Sequence, residues 1–205
     1  MITSMEPVVL GALILKIKIV PDMIDSINEI CDEAKKQDEY DITHLLTDTH
    51  NVLFSSLFNE YMKQIDKHFW ECHLDAAWYN DMRTGEYNPF HIHKTKTSEL
   101  GLSSVLMLKR PDTYGEEHCN EHGAWKDTRI SNFTQSTRNG CLTLFSGFHD
   151  PLYKSMYQVD AEVGDFFIFP FTMLHGVYPF NGTDDIRRTL SYNCNLVRNS
   201  EKMEK

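Results

Sequence analysis

A chain of 205 residues, 41% hydrophobic and 24% charged, is expected to fold as a single globular domain spanning 1–205, with enough length to bury a core without cross-links. A formal net charge of −10 and a pI near 5.4 set its surface against phosphate backbones and anionic lipid heads, so neither general nucleic-acid binding nor membrane association is expected. The five cysteines (Cys31, Cys72, Cys119, Cys141, Cys194) are scattered and form no CxxC pair, which points to reduced thiols in a cytoplasmic compartment and against a disulfide framework.

The apolar run from Val8 to Leu15 is too short to span a membrane and has no basic flank before it. It leads into the alternation Lys16-Ile17-Lys18-Ile19, so one strand is predicted over 8–20, ending at Pro21. Met23, Ile24, Ile27, Ile30 and Ala34 recur at helical spacing and predict a helix over 22–36, with Pro21 suited to its first turn. Leu53, Leu57, Tyr61, Ile65 and Phe69 lie four apart and predict a second helix over about 51–71. From Leu74 the chain turns to short apolar or alternating runs separated by turn residues. Strands are predicted over 74–80, 86–94, 102–109, 141–146, 155–160, 164–170, 174–179 and 187–197. The polar stretch 111–140 is expected to be a loop or lid, and the charged tail after Arg198 to fray. The fold class expected is mainly β: a jelly roll over 74–198 supported by the strand and helices of 1–73.

Three patches carry chemistry. In Asn88-Pro89-Phe90-His91-Ile92-His93, strand alternation points His91 and His93 to one side, making an edge on which a metal can sit. The apolar strand of Gly164 to Pro170 bends and then presents His175, where a third ligand would arrive if the strands fold over one another. In Arg187-Arg188-Thr189-Leu190-Ser191-Tyr192-Asn193, alternation puts Arg187, Thr189, Ser191 and Asn193 on one face. A leading guanidinium inside a barrel requires an anion, and its planar fork matches a carboxylate. The plainer alternatives are two surface histidines, one hydrogen-bonded core histidine, and an edge strand whose polar face meets water.

Taken together, His91-x-His93, His175 after a Gly-Asp-apolar-Pro strand, and then Arg187 resemble the Fe(II)/2-oxoglutarate oxygenase superfamily. The resemblance is closest to its prolyl-hydroxylase-like branch and to a group common in phages and bacteria. It runs from Trp78 through Ser103-Ser104-Val105 and Gly164-Asp165 to Asn193. It implies a double-stranded β-helix in which His91, His93 and His175 hold Fe(2+). Arg187, aided by Thr189 and Ser191, binds the distal carboxylate of 2-oxoglutarate, and Tyr87, Asn80 or Trp78 touches the co-substrate. With O2, 2-oxoglutarate would be decarboxylated to succinate while a small-molecule or peptide substrate is hydroxylated. Arg188, on the other face, is expected to meet solvent or substrate.

One position departs from the family pattern, which is His-x-Asp/Glu: His93 stands where the carboxylate belongs. Asp81 and Glu99 are the candidate carboxylates to take its place. Three histidines with Glu99 would suit a cupin, also a jelly roll, but a cupin gives Arg187 no role. A non-enzymatic β-sandwich is the remaining alternative. His118, Cys119 and His122 offer too few ligands for a zinc site, and no GxSxG or Walker-type loop occurs.

Overall fold

The computed structural model describes residues 2–9, 12–67, 70–94, 100–114, 140–145 and 156–198. In chain order its elements are β1 (Ile2–Val9), β2 (Leu13–Ile19), α1 (Pro21–Lys36), α2 (Asp48–Gln64), β3 (Trp70–Met82) and β4 (Asn88–His91). β5 (Gly101–Lys109), β6 (Leu142–Phe145), β7 (Met156–Val159), β8 (Asp165–Pro170), β9 (Leu174–Val177) and β10 (Arg187–Arg198) follow. A six-stranded sheet runs β1-β2-β8-β5-β10-β3, and a four-stranded sheet runs β4-β9-β6-β7. From β3 onward the chain crosses repeatedly between the two sheets, which makes the expected double-stranded β-helix with helices at its back.

The eight strands predicted after residue 74 all form. Several boundaries differ, most of all in three places. The predicted strand over 8–20 takes in the end of β1 and all of β2, two antiparallel arms with Val9 paired to Leu13. α2 starts earlier because Thr47 and His50 cap it: the Thr47 backbone N–H donates to His50 Nδ1 at 3.2 Å. It ends at Gln64, just before Asp66 takes a left-handed φ of 53°. β3 begins at Trp70 because the segment Trp70-Glu71-Cys72-His73, which shows no clean apolar pattern, still pairs with Asn195–Arg198 of β10.

Strand alternation divides the core in two. Ile17, Ile19, Leu106, Phe166, Ile168, Leu190 and Tyr192 meet the apolar faces of α1 and α2, where Phe54 and Phe58 pack edge-on against Phe166 and Tyr192. Ile14, Met107, Leu142, Leu144, Phe167, Phe169 and Val177 fill the space between the sheets. Burying a Phe or Ile side chain contributes roughly 1.5–3 kcal/mol, so both layers hold the sheets in register.

Arg188 corrects an expectation: it meets neither solvent nor substrate and is 1% exposed on the helix side of β10. Its Nε and Nη2 grip Asp81 at 2.6 and 2.9 Å, its Nη1 reaches Asp32 of α1 at 2.6 Å, and its guanidinium lies over Tyr79. Burial alone would raise the Asp81 pKa, but bonds from Arg188 and Lys35 hold it below the ordinary carboxylate range. Asp81 is therefore the anchor that ties α1 to the sheet. Replacing it with alanine leaves the buried Arg188 with only the half-exposed Asp32 and is expected to destabilise the protein by about 3 kcal/mol, whereas Arg188→Met, which leaves Asp81 its bond from Lys35, should cost much less. Urea unfolding of both variants checks this. Equal losses would mean that the pair acts only by filling space.

Candidate metal and co-substrate site

β4 lies antiparallel to β9, and His91 is the direct partner of His175. The strands close tightly because residue 176 is glycine: a Cβ there would stand 2.8 Å from Phe90 Cδ1 and 2.9 Å from the Asn88 carbonyl oxygen. His93 lies just past β4, where its backbone N–H donates to the Phe171 carbonyl at 2.8 Å. One ligand-type atom from each of His91, His93 and His175 falls within 4.8 Å of the others.

The hydrogen bonds set the tautomers. His91 Nδ1 lies 2.6 Å from the Pro89 carbonyl, and His175 Nδ1 lies 2.8 Å from the Met173 carbonyl. A carbonyl only accepts, so each Nδ1 carries the proton and each Nε2 presents a lone pair. His93 Nε2 is 3.1 Å from His175 Nε2. Two nitrogens bound to one ion at about 2.1 Å and at right angles stand about 3.0 Å apart, so this spacing is that of a coordination edge. Trp78 leans on His93 with ring centroids 5.6 Å apart, and Phe169 meets His175 edge-on at 4.8 Å, which holds both rings in place.

Burial, reinforced by neighbouring His91, lowers the His93 pKa to about 4. Burial likewise lowers His175 to about 4, against the bond to the Met173 carbonyl. Both start from an ordinary value of 6.5, so between pH 6.5 and 4 the unfolded chain takes up protons that the folded chain refuses. This stability is fully present above pH 6.5 and is lost as pH falls toward 4, by at most about 1.4 kcal/mol per pH unit for each histidine. Thermal melts of metal-free protein from pH 7.5 to 4.5 are expected to show this slope, and His175→Gln should flatten it. An unchanged slope in that variant would refute the assignment.

The three imidazoles open on a narrow pocket of about 30 Å³, whose walls include Trp78, Asn80, Asn88, Thr189 and Ser191 and whose buried end holds Arg187. β10 is an interior strand between β5 and β3, so its polar face does not meet bulk water as an edge strand's would. Thr189 pairs with Asn80 and Ser191 with Trp78, which puts these residues beside Arg187 on the inner face. Arg187 is 1% exposed, and its Nε and Nη2 have no hydrogen-bond partner among the described residues. Its Nη1 lies 3.8 Å from the Met82 sulfur. Burial pulls its pKa below the ordinary arginine range, with Tyr114 and Cys141 opposing.

Two expected residues stand elsewhere. Tyr87 is 63% exposed and does not line the pocket, because it precedes β4 on the surface. Asp81 faces α1 and is occupied by Arg188 and Lys35, so it is not a carboxylate substitute for His93. Glu99, the 115–139 portion of the expected lid with His118, Cys119 and His122, and the tail beyond Arg198 lie outside the described residues. Tyr114 and Asn88 escaped the sequence reading. Tyr114 sits in the stretch expected to be a lid, yet it is buried beside Arg187, and its hydroxyl donates to the Val159 carbonyl at 2.7 Å. Tyr114 is one of three aromatic residues in that mostly polar stretch, so the sequence does not single it out.

Three convergent imidazoles and a buried guanidinium thus share one pocket within a jelly roll, and sequence comparison gives the chain a family. The family described as "Putative 2OG-Fe(II) oxygenase" matches residues 76–193, more than half of the chain, and the protein belongs to it. It is thus an oxygenase-family protein of the kind that uses Fe(II), 2-oxoglutarate and O2, which sets aside the cupin alternative. The fold is similar to that of a Pseudomonas putida prolyl-4-hydroxylase, with 14% identity over 90% of this chain and 87% of that one and a TM-score of 0.55. It is also similar to AviO1 from Streptomyces viridochromogenes Tue57, with 13% identity, 89% of each chain covered and a TM-score of 0.57. A third similar structure is HygX from Streptomyces hygroscopicus with nickel and 2-oxoglutarate bound, at 11% identity over 89% of this chain and 81% of that one, with a TM-score of 0.52. No curated protein sequence matches the chain. Among the described residues no helix is long and apolar enough to cross a membrane.

Proposed function

We propose that this protein is a 2-oxoglutarate-dependent dioxygenase that hydroxylates a small-molecule or peptide substrate. His91, His93 and His175 would hold Fe(II), and Arg187 would anchor the co-substrate. The observation that carries this reading is the fully buried Arg187 guanidinium, with Nε and Nη2 unpartnered, facing the same pocket as three convergent imidazoles. A buried cation without a counter-charge is strongly unfavourable, and a carboxylate arriving through the pocket removes that penalty.

The residues fit both groups. Three neutral imidazoles suit a borderline divalent ion such as Fe(II) and leave the remaining positions open. Arg187 presents its fork to one carboxylate, and the Thr189 and Ser191 hydroxyls and the Asn80 amide line the path between it and the histidines. When bound, iron with 2-oxoglutarate and O2 supplies the oxidising power, and succinate and CO2 are the co-products. The protein's part is to hold the two ends of the co-substrate at a set separation and to exclude water with Trp78, Leu142 and Val177. His93 in place of a carboxylate leaves the centre one negative charge short, so the co-substrate's own carboxylate supplies more of the balancing charge.

The test is anaerobic addition of Fe(II) and then 2-oxoglutarate. A metal-to-ligand charge-transfer band in the visible and a further rise in melting temperature are expected only with both present. Melting unchanged by 2-oxoglutarate in iron-loaded protein would refute the reading.

A further inference from the structure

Ser103 and Asn193 form a second polar pair inside the barrel that neither the metal nor the co-substrate uses. The register that pairs Ser191 with Val105 and Cys194 with Leu102 sets Asn193 opposite Ser103. Ser103 pairs in turn with Phe169 on β8, the ring that lies edge-on to His175 at 4.8 Å. The flanking Leu102, Tyr192 and Cys194 point into the helix-side core, so strand alternation turns Ser103 and Asn193 to the inner face. Ser103 is 1% exposed and Asn193 7%, and Ser103 Oγ and Asn193 Oδ1 have no hydrogen-bond partner among the described residues.

Their place along β10 gives them meaning. Arg187, Thr189, Ser191 and Asn193 follow one another along the inner face. Trp78, the partner of Ser191, touches His93. The histidines therefore stand between the two ends of this row. Arg187 closes one end, where the co-substrate's distal carboxylate would lie, and the Ser103–Asn193 pair lies at the other.

We propose that Ser103 Oγ and Asn193 Oδ1 form the subsite that binds the substrate to be oxidised, and that the group they receive is a neutral amide. This rests on the function proposed above. Asn193 Oδ1 accepts an N–H, and the Ser103 hydroxyl donates to a carbonyl, which together match the donor and acceptor of one amide. Both groups are neutral and buried, so a substrate ammonium or carboxylate placed there would lose its hydration without gaining a counter-charge. The subsite thus selects against charge in the group it receives.

The experiment uses the full chain loaded with Mn(II) and saturating 2-oxoglutarate. The probes are N-methylacetamide, methylammonium and acetate, and the readout is the paramagnetic relaxation of their methyl protons. Relaxation is expected to be enhanced for N-methylacetamide alone. Ser103→Ala or Asn193→Leu should weaken its binding about fivefold or more. Asn193→Asp, which keeps the side-chain shape, should transfer the preference to methylammonium. Equal relaxation of all three probes, or enhancement untouched by these changes, would overturn the subsite while leaving the metal and co-substrate sites standing. Failure of the wild-type chain to retain Mn(II) or 2-oxoglutarate would overturn the proposed function and this subsite with it.

Discussion

Replacing His175 with alanine is expected to abolish stoichiometric metal binding while leaving the barrel folded. His175 is 4% exposed, the one buried member of the three, with ring centroids 4.4 Å from His91 and 5.0 Å from His93. Removing it leaves two nitrogens on one strand segment and no edge across to β9. Loss of an outer hydrogen-bonding partner already weakens metal affinity by about 10–100-fold, so loss of a ligand should exceed that. The fold should survive because, in metal-free protein, burial of this imidazole opposes its protonation and adds little to the apolar core. Iron content after anaerobic reconstitution, with circular dichroism as the control for folding, checks both halves. Stoichiometric iron in His175→Ala would remove this residue from the centre.

The second large effect is expected from Arg187→Met, and its signature is two-sided. The guanidinium is buried with two unpartnered N–H-bearing nitrogens, so it burdens the empty protein and becomes favourable only when an anion pairs with it. Methionine fills similar volume without charge, beside Met82. Metal-loaded protein should therefore melt at the same or a higher temperature than wild type. Its affinity for 2-oxoglutarate should fall by about 100-fold or more, in line with the few kcal/mol of a buried charge pair. Calorimetric titration and thermal melts separate these outcomes. A destabilised variant with intact co-substrate affinity would make Arg187 a structural residue.

Alternation within strands was the part of the site most legible beforehand. It placed His91 with His93, and Arg187 with Thr189 and Ser191, because side-chain direction along a strand is a local property of the pleat. The same parity ought to have excluded Asp81, which alternates with Trp78 and Asn80 and so faces away from the pocket. Arg188 was misjudged for a different reason. Its face was right, but what covers that face comes from elsewhere: Asp32 and Asn28 on α1, and Asp81 on β3. Tyr114 was missed because its burial beside Arg187 depends on β7 and on residues 160–161 folding against it, none of which leaves a mark around residue 114.

The amino-acid sequence by itself determined the order of elements from α1 onward and which side chains share a face of the strands that carry the site, since both follow from short-range backbone geometry. Only the tertiary structure decided which faces meet. The 3.1 Å approach of His93 to His175 joins residues 82 positions apart, and the isolation of Arg187 depends on two sheets closing over it. Both arise from long-range pairing and burial, which no local pattern of residues encodes.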